Sequence, residues 1–365
     1  MIHLEKLSLN QLIHLVVLTQ VGVSVLSIPF AESRHSGYDS WISVFIGGVI
    51  AQAVILIIYI LSSRYADRSL PQYIFAIVGK PIGVLLNIMI GIYCAESSLM
   101  VIVSYADVLN RWVLIRTPWF VLIGFSVGIA AFIATSSLRS MATITQSILF
   151  MFLICILIIF ISGTGKGDIR HFFPIGIHGI GAIMRDSIHA FWAYAGYELL
   201  LYVFPSLSYR KKKDVIIAMS AANGFTTLFY VLIAIIVTFN FSESQLKEIP
   251  EPMVFILRQF KWPVVQSLDI VFMTVWLSVT TVTAYVYFFL SARYLAFASG
   301  KARGNHTYIV WIVGIICFLL GLWGSDRQMI FRFSSYHNLA TIFVTAILPT
   351  LLLLVSLGRG KRGIQ

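Results

Sequence analysis

Apolar residues fall in long, nearly unbroken stretches separated by short polar joints. Ten stretches approach the roughly 20 residues that carry a helix across a bilayer: about 10–31, 38–62, 82–108, 118–135, 140–162, 186–206, 214–239, 263–291, 307–323 and 334–357. Helices are the expected form, because hydrocarbon requires every backbone group to be paired within the element. A membrane barrel would show short alternating segments, and "FMFLICILIIFI" at 150–161 does not alternate. The longer joints, 163–185 and 240–262, are rich in Gly, Pro and charge. The second could hold a short amphipathic helix at the membrane surface.

Two of the ten spans are weakened. "TQVGVSVLSIPF" at 19–30 carries Gly22, Ser24, Ser27 and Pro29 inside an apolar run. "HAFWAYAGYELLLYVFP" at 189–205 carries Gly196 and Pro205, with Glu198 deep in the run. Proline removes an amide donor and clashes with the preceding turn, and glycine lets a backbone unwind and approach a ligand closely. The breaks therefore centre on Gly22 and Pro29 in the first span, and on Gly196 and Pro205 in the sixth. Each opens a block of five spans, the pattern of a five-plus-five inverted repeat with discontinuous first and sixth helices. The expected organisation is one all-α transmembrane domain over 1–365, with a first repeat at about 10–162 and a second at about 186–357.

Composition agrees with a polytopic membrane protein. Of the 365 residues, 59% are hydrophobic and 11% charged, with mean hydropathy +0.90, where a soluble domain carries about 25% charged residues. The net charge of +11 lies in joints between spans, so it reads as topology and gives no case for a nucleic-acid partner. With the N-terminus in the cytoplasm and ten crossings, 15 Lys and Arg face inward against 11 outward, and both termini are cytoplasmic. "YRKKKD" at 209–214 is the strongest inward marker, with an anionic-lipid patch as its other reading. Cys94, Cys155 and Cys317 lie within apolar runs and match no metal or disulfide spacing. No nucleophile triad or complete phosphate loop is legible, so neither catalysis, a metal nor a cofactor is expected.

The candidate chemistry gathers around the breaks. A half-helix start offers free amides to a carboxylate, and a half-helix end offers carbonyls to an ammonium or cation. A small amino acid carries both groups. Gly22, Val23 and Ser24 form the first candidate wall. Glu198 is a carboxylate within hydrocarbon, equally readable as ligand or proton carrier and as a structural partner, with Tyr194 and Tyr197 beside it. Tyr93, Glu96, Ser97, Met100 and Ser104 make a polar stripe on the third span. On the eighth span Trp276, Thr280, Thr283 and Tyr287 share a face, with Thr281 a partial turn away. Their hydroxyls can hold sodium or substrate, or bond their own helix.

"GVSVLSIPF" at 22–30, "YADRSLPQY" at 65–73, "VGKPIG" at 78–83, "FFPIG" at 172–176 and "FWAYAGYELLLYVFP" at 191–205 together resemble the B subunits of spore germination receptors, within the amino acid–polyamine–organocation transporter superfamily. The resemblance spans essentially the whole chain. It implies a LeuT-type bundle, a complex with an A-type membrane subunit and a C-type lipoprotein in the spore inner membrane, and sensing of a small nutrient, often an amino acid. It places ligand residues on Gly22, Ser24, Tyr93, Tyr197 and the 280–283 stretch. Ser24 stands where many relatives carry a second glycine, which narrows the space at the break. A proton- or sodium-coupled amino acid symporter is the alternative.

Overall fold

The computed structural model describes residues 6–165, 167–260, 268–300 and 306–359, and residues 263–267 of the expected eighth span lie outside them. α1 (Leu9–Gln20) and α2 (Ser24–Ser27) are separated by a non-helical turn. α3 (Ser40–Arg64), α4 (Leu70–Val78), α5 (Lys80–Trp112), α6 (Trp119–Ala134) and α7 (Leu138–Gly163) follow. α8 (Gly179–Trp192) and α9 (Leu200–Val203) flank a second interruption. α10 (Lys212–Asn240), the short α11 (Glu243–Glu248) and α12 (Pro252–Gln259), α13 (Leu268–Ala298) and α14 (Thr307–Gly321) come next. α15 (Arg327–Thr341) passes through a π-helical stretch at Ile342–Ile347 into α16 (Leu348–Gly358).

Seven of these helices are long and apolar enough to cross a membrane, and α6 is a shorter apolar helix. The chain is a multi-pass membrane protein. Apolar side chains such as Phe125, Phe132, Phe150, Leu157, Ile315 and Leu319 are exposed on the outside of the bundle, a surface that lipid covers rather than water.

α13 is the hub, touching α1, α5, α6, α7 and α14. α3 lies close against α8 and α10 because Gly47 and Gly48 leave room: a Cβ on Gly48 would sit 2.3 Å from the Thr227 hydroxyl. Small residues permit such approaches where apolar burial no longer drives association. α4 was not among the expected elements. It starts at a Ser69–Gln72 capping box with Pro71 in its first turn, and buries Tyr73 and Ile74 against the bundle.

The two ends of the bundle differ. At one end the backbone of Leu7 pairs with the segment after α9: its amide donates to Ser206 at 2.8 Å, and the Ser208 amide returns a bond to Leu7 at 2.8 Å. At the other end lie the turn between α2 and α3, α11, α12 and the turn before α15.

Candidate functional site

α1 loses its ladder at Val21, whose amide still reaches Val17, while Gly22 folds back on Gln20 at 2.9 Å. Among the described residues, the amides of Val23 and Ser24 find no protein acceptor. The carbonyls freed on the other side of the break are taken by side chains. The Thr283 hydroxyl donates towards Leu18 and Thr19 at 3.2 and 3.1 Å, the Tyr230 hydroxyl donates to Gln20 at 2.8 Å, and the Trp276 indole N–H donates to Gly22 at 3.2 Å. α10 and α13 thus supply the capping that the interrupted helix lacks.

The second interruption faces the first. Gly196 has φ of +129°, a conformation L side chains rarely adopt, and a Cβ there would lie 3.0 Å from the Gln20 amide nitrogen. The Gln20 side-chain amide donates to the Tyr194 carbonyl at 2.9 Å, and the Tyr230 hydroxyl lies 3.2 Å from the Ala193 carbonyl as well as on Gln20. One hydroxyl, with a single proton to give, sits between the two breaks. The Glu198 carboxylate accepts the Gly196 amide at 2.7 Å and the Tyr287 hydroxyl at 2.6 Å, so it caps the turn on which Gly196 sits.

Above this contact is a cavity of about 620 Å³, within the range of small-molecule sites (about 300–1,000 Å³). Gly22, Val23, Ser24, Gln20 and Thr283 line its depth, with Tyr287, Ser97 and Met100 on the facing side. α15 contributes Ser334, Ser335, His337 and Asn338. The mouth carries Glu32, Arg34, Asp107, Glu251, Trp192 and Arg327, at the end of the bundle away from the Leu7 pairing.

The sequence-predicted residues divide into two groups. Gly22, Val23, Ser24 and Thr283 line the cavity. Tyr93, Glu96, Tyr194, Tyr197, Glu198, Thr280 and Thr281 support it from behind. The Tyr93 hydroxyl reaches Thr341 at 3.4 Å, and its ring stacks on His337 at 5.9 Å between centroids. Glu96 takes the Nδ1 of His337 at 2.5 Å. Tyr194 donates to Val44 at 3.0 Å and Tyr197 to Thr345 at 3.2 Å. Thr280 and Thr281 donate to the Leu277 carbonyl of their own helix, at 3.0 and 2.7 Å. Of the break-forming prolines, Pro29 lies in the turn after α2 and Pro205 in a 3₁₀ turn after α9. Gln20, Tyr230 and Glu32 were not singled out from sequence. Gln20 carried a signal, a side-chain amide two positions before the glycine of an apolar run.

The mouth is tied by charge. Glu251, before α12, accepts Arg111 of α5 at 2.7 Å and Arg327 of α15 at 2.8 Å, and Arg111 also holds Asp107. The buried Asp186 of α8 receives the amides of His35 and Ser36 at 2.9 and 2.7 Å and the His35 ring at 2.7 Å, clasping the turn after α2. Glu32 in that turn, outside the spanning helices, is 5% exposed. Burial pushes its carboxyl up to about 7; its own backbone N–H opposes that rise, and the nearby Asp186 adds to it.

A family model described as "Spore germination protein" (Spore_permease) matches residues 6–330. The chain belongs to this family. This spore germination permease is 24% identical to "Spore germination protein GerQB" of Bacillus cereus over 352 residues, 93% of either chain. It is also 24% identical to "Spore germination protein A2" of Bacillus subtilis (strain 168), over 96% of this chain and 95% of that one. Among solved structures it superposes on MhsT in complex with L-phenylalanine with TM-score 0.70 at 13% identity, over 96% of this chain and 89% of that one. Mhp1, a nucleobase-cation-symport-1 family transporter with bromovinylhydantoin bound, gives TM-score 0.60 at 13% identity, over 96% and 78%. At such identities the likeness is one of fold: a LeuT-type transporter fold, as the resemblance implied.

Proposed function

We propose that this spore germination permease is the nutrient-sensing subunit of a germinant receptor, and that a small amino acid or comparable small nutrient binds in the cavity above the two breaks. The carrying observation is the contact of two interrupted helices beneath an open cavity, with the Val23 and Ser24 amides unclaimed among the described residues. Those amides suit a ligand carboxylate, and Thr283, Tyr287 and the α15 hydroxyls suit the rest of a small polar molecule. Tyr93, Glu96, Tyr194, Tyr197, Glu198, Thr280 and Thr281 hold the frame. Binding shifts the bundle between states by differential affinity. The shift passes to an A-type membrane subunit and a C-type lipoprotein in the spore inner membrane, with both termini cytoplasmic. Ten crossings follow when α6 and the two interrupted helices are counted with the seven long ones. A five-plus-five inverted repeat is supported by the Gln20–Tyr194 hydrogen bond, which joins residues 174 apart, the same offset as Gly22 and Gly196.

Binding is tested on the purified chain in lipid nanodiscs, and signalling in spores lacking other receptors. A Gly22→Leu chain that assembles normally should lose both. Unchanged nutrient response in that variant would reduce the cavity to a vestige of the fold.

The symporter reading has one observation in its favour, the Glu96–His337 pair, whose His337 lines the cavity and could pass a proton. Sodium coupling fits less well, since Thr283 already bonds the Leu18 and Thr19 carbonyls that an ion would compete for. Gradient-driven accumulation of labelled amino acid in proteoliposomes containing this chain alone would favour the symporter; saturable binding without accumulation favours the sensor.

A further inference from the structure

α14 and α15 both pack on α5, and they meet each other chiefly through the turn at Leu322–Ser325 that joins them. Beyond that turn they leave a groove on the outside of the bundle, with α5 as its floor. On one flank the Cys317 thiol of α14 points at the Ala95 carbonyl at 3.6 Å. On the other the His337 ring of α15 meets the Glu96 carboxylate at 2.5 Å. Glu96 does not line the cavity; Ser97, Met100 and Ser104 take that side of α5. Its position falls instead on the helical stripe of Ile82, Leu85 and Ile92, which are 53%, 64% and 60% exposed, and the Glu96 side chain is itself 34% exposed. Glu96 is also the middle residue of the 33-residue α5, about 24 Å from either end at 1.5 Å per residue. That places it within the roughly 30 Å of hydrocarbon. A partly open carboxylate at such a depth is expensive and calls for a partner. His337 occupies one of its oxygens, and among the described residues no protein group reaches the other.

We propose that the groove between α14 and α15 seats a membrane-spanning helix of the larger membrane subunit, and that a lysine or arginine of that helix meets Glu96. This rests on the reading of the chain as a receptor subunit. Acyl chains bring no donor to the middle of a bilayer, and the cationic groups of lipids stay at its surface, whereas a neighbouring helix can carry a basic side chain to Glu96. The α15 wall of the groove suits such a neighbour. Ser334 and Asn338 face the cavity on one side of His337, and Phe333 and Tyr336, 54% and 71% exposed, flank it on the other. Their rings offer packing surface to a helix. The pair also crosses the wall of the site: His337 lines the nutrient cavity, and Glu96 opens to the outside. A nutrient that displaces His337 therefore alters the hold on the carboxylate that the partner reads.

The test places the photo-crosslinker benzoylphenylalanine at Phe333 of the full chain in spore membranes. The cross-linked peptide should come from a membrane-spanning segment of the A-type subunit that holds a lysine or arginine. Ile92→Trp, which fills the floor of the groove, should lower recovery of the A-type subunit with this chain at least fivefold. Its nutrient binding in nanodiscs should stay within twofold, which reports that the variant is folded. Leu157→Trp on the exposed face of α7 should change neither. Glu96→Lys should lose the complex, and exchanging the cross-linked segment's basic residue for glutamate should restore it. A cross-link only to lipid or to a second copy of this chain, a complex that survives Ile92→Trp, or a charge exchange that restores nothing overturns the docking site and leaves the nutrient cavity standing. Failure of the unaltered chain to recover any A-type subunit overturns the receptor reading and the docking site with it.

Discussion

At the scale of single residues, the site is built from carboxylates with different partners. Glu198 is fully engaged by the Gly196 amide and Tyr287. Tyr287→Phe should therefore cost about 1–3 kcal/mol by stranding one side of a buried acid, read as a lower melting midpoint in nanodiscs. Glu32 behaves differently. Burial raises its carboxyl to about 7. The folded chain holds the Glu32 proton between about 4.5 and 7 while the unfolded chain has released it. Stability therefore falls as pH rises through that window and levels above it. Glu32→Gln should melt higher than the unaltered chain at pH 8 and alike at pH 4. Glu32 was hidden in the sequence because an acid three residues past a proline reads as loop polarity; its burial depends on α8 lying across that turn.

At the scale of elements, the breaks were legible because they rest on local chemistry. Gly22 and Gly196 lie in apolar runs where nothing else calls for glycine. What caps the freed carbonyls was not legible. Tyr230 and Trp276 sit on helices whose hydrophobic pattern is continuous, and their hydroxyl and indole N–H meet α1 only through tertiary packing. The same holds for α4, nine residues long, too short to register as a span and identified only by its cap and by the bundle it packs on. Tyr230→Phe removes one of the two side-chain donors between the breaks, leaving the Gln20 amide on the Tyr194 carbonyl. It should cost about 1–3 kcal/mol and raise amide exchange at 193–196 and 20–23, read by hydrogen-exchange mass spectrometry. Gly196→Val should be more severe, since the backbone conformation and the Gln20 amide both exclude a side chain.

At the scale of the whole molecule, the unequal fastening of the two ends has a further consequence. Among the described residues, every ion pair except His337–Glu96 lies at the end of the bundle that carries the mouth. The far end is joined instead by main-chain pairing of Leu7 with Ser206 and Ser208. Dissolved electrolyte weakens attraction between partly exposed charges and leaves amide-to-carbonyl pairing almost untouched. Brine should therefore slacken one gate and spare its counterpart. A thiol placed at Ser334, which lines the cavity, should label faster in concentrated potassium chloride, whereas one at Ser208 should keep its pace.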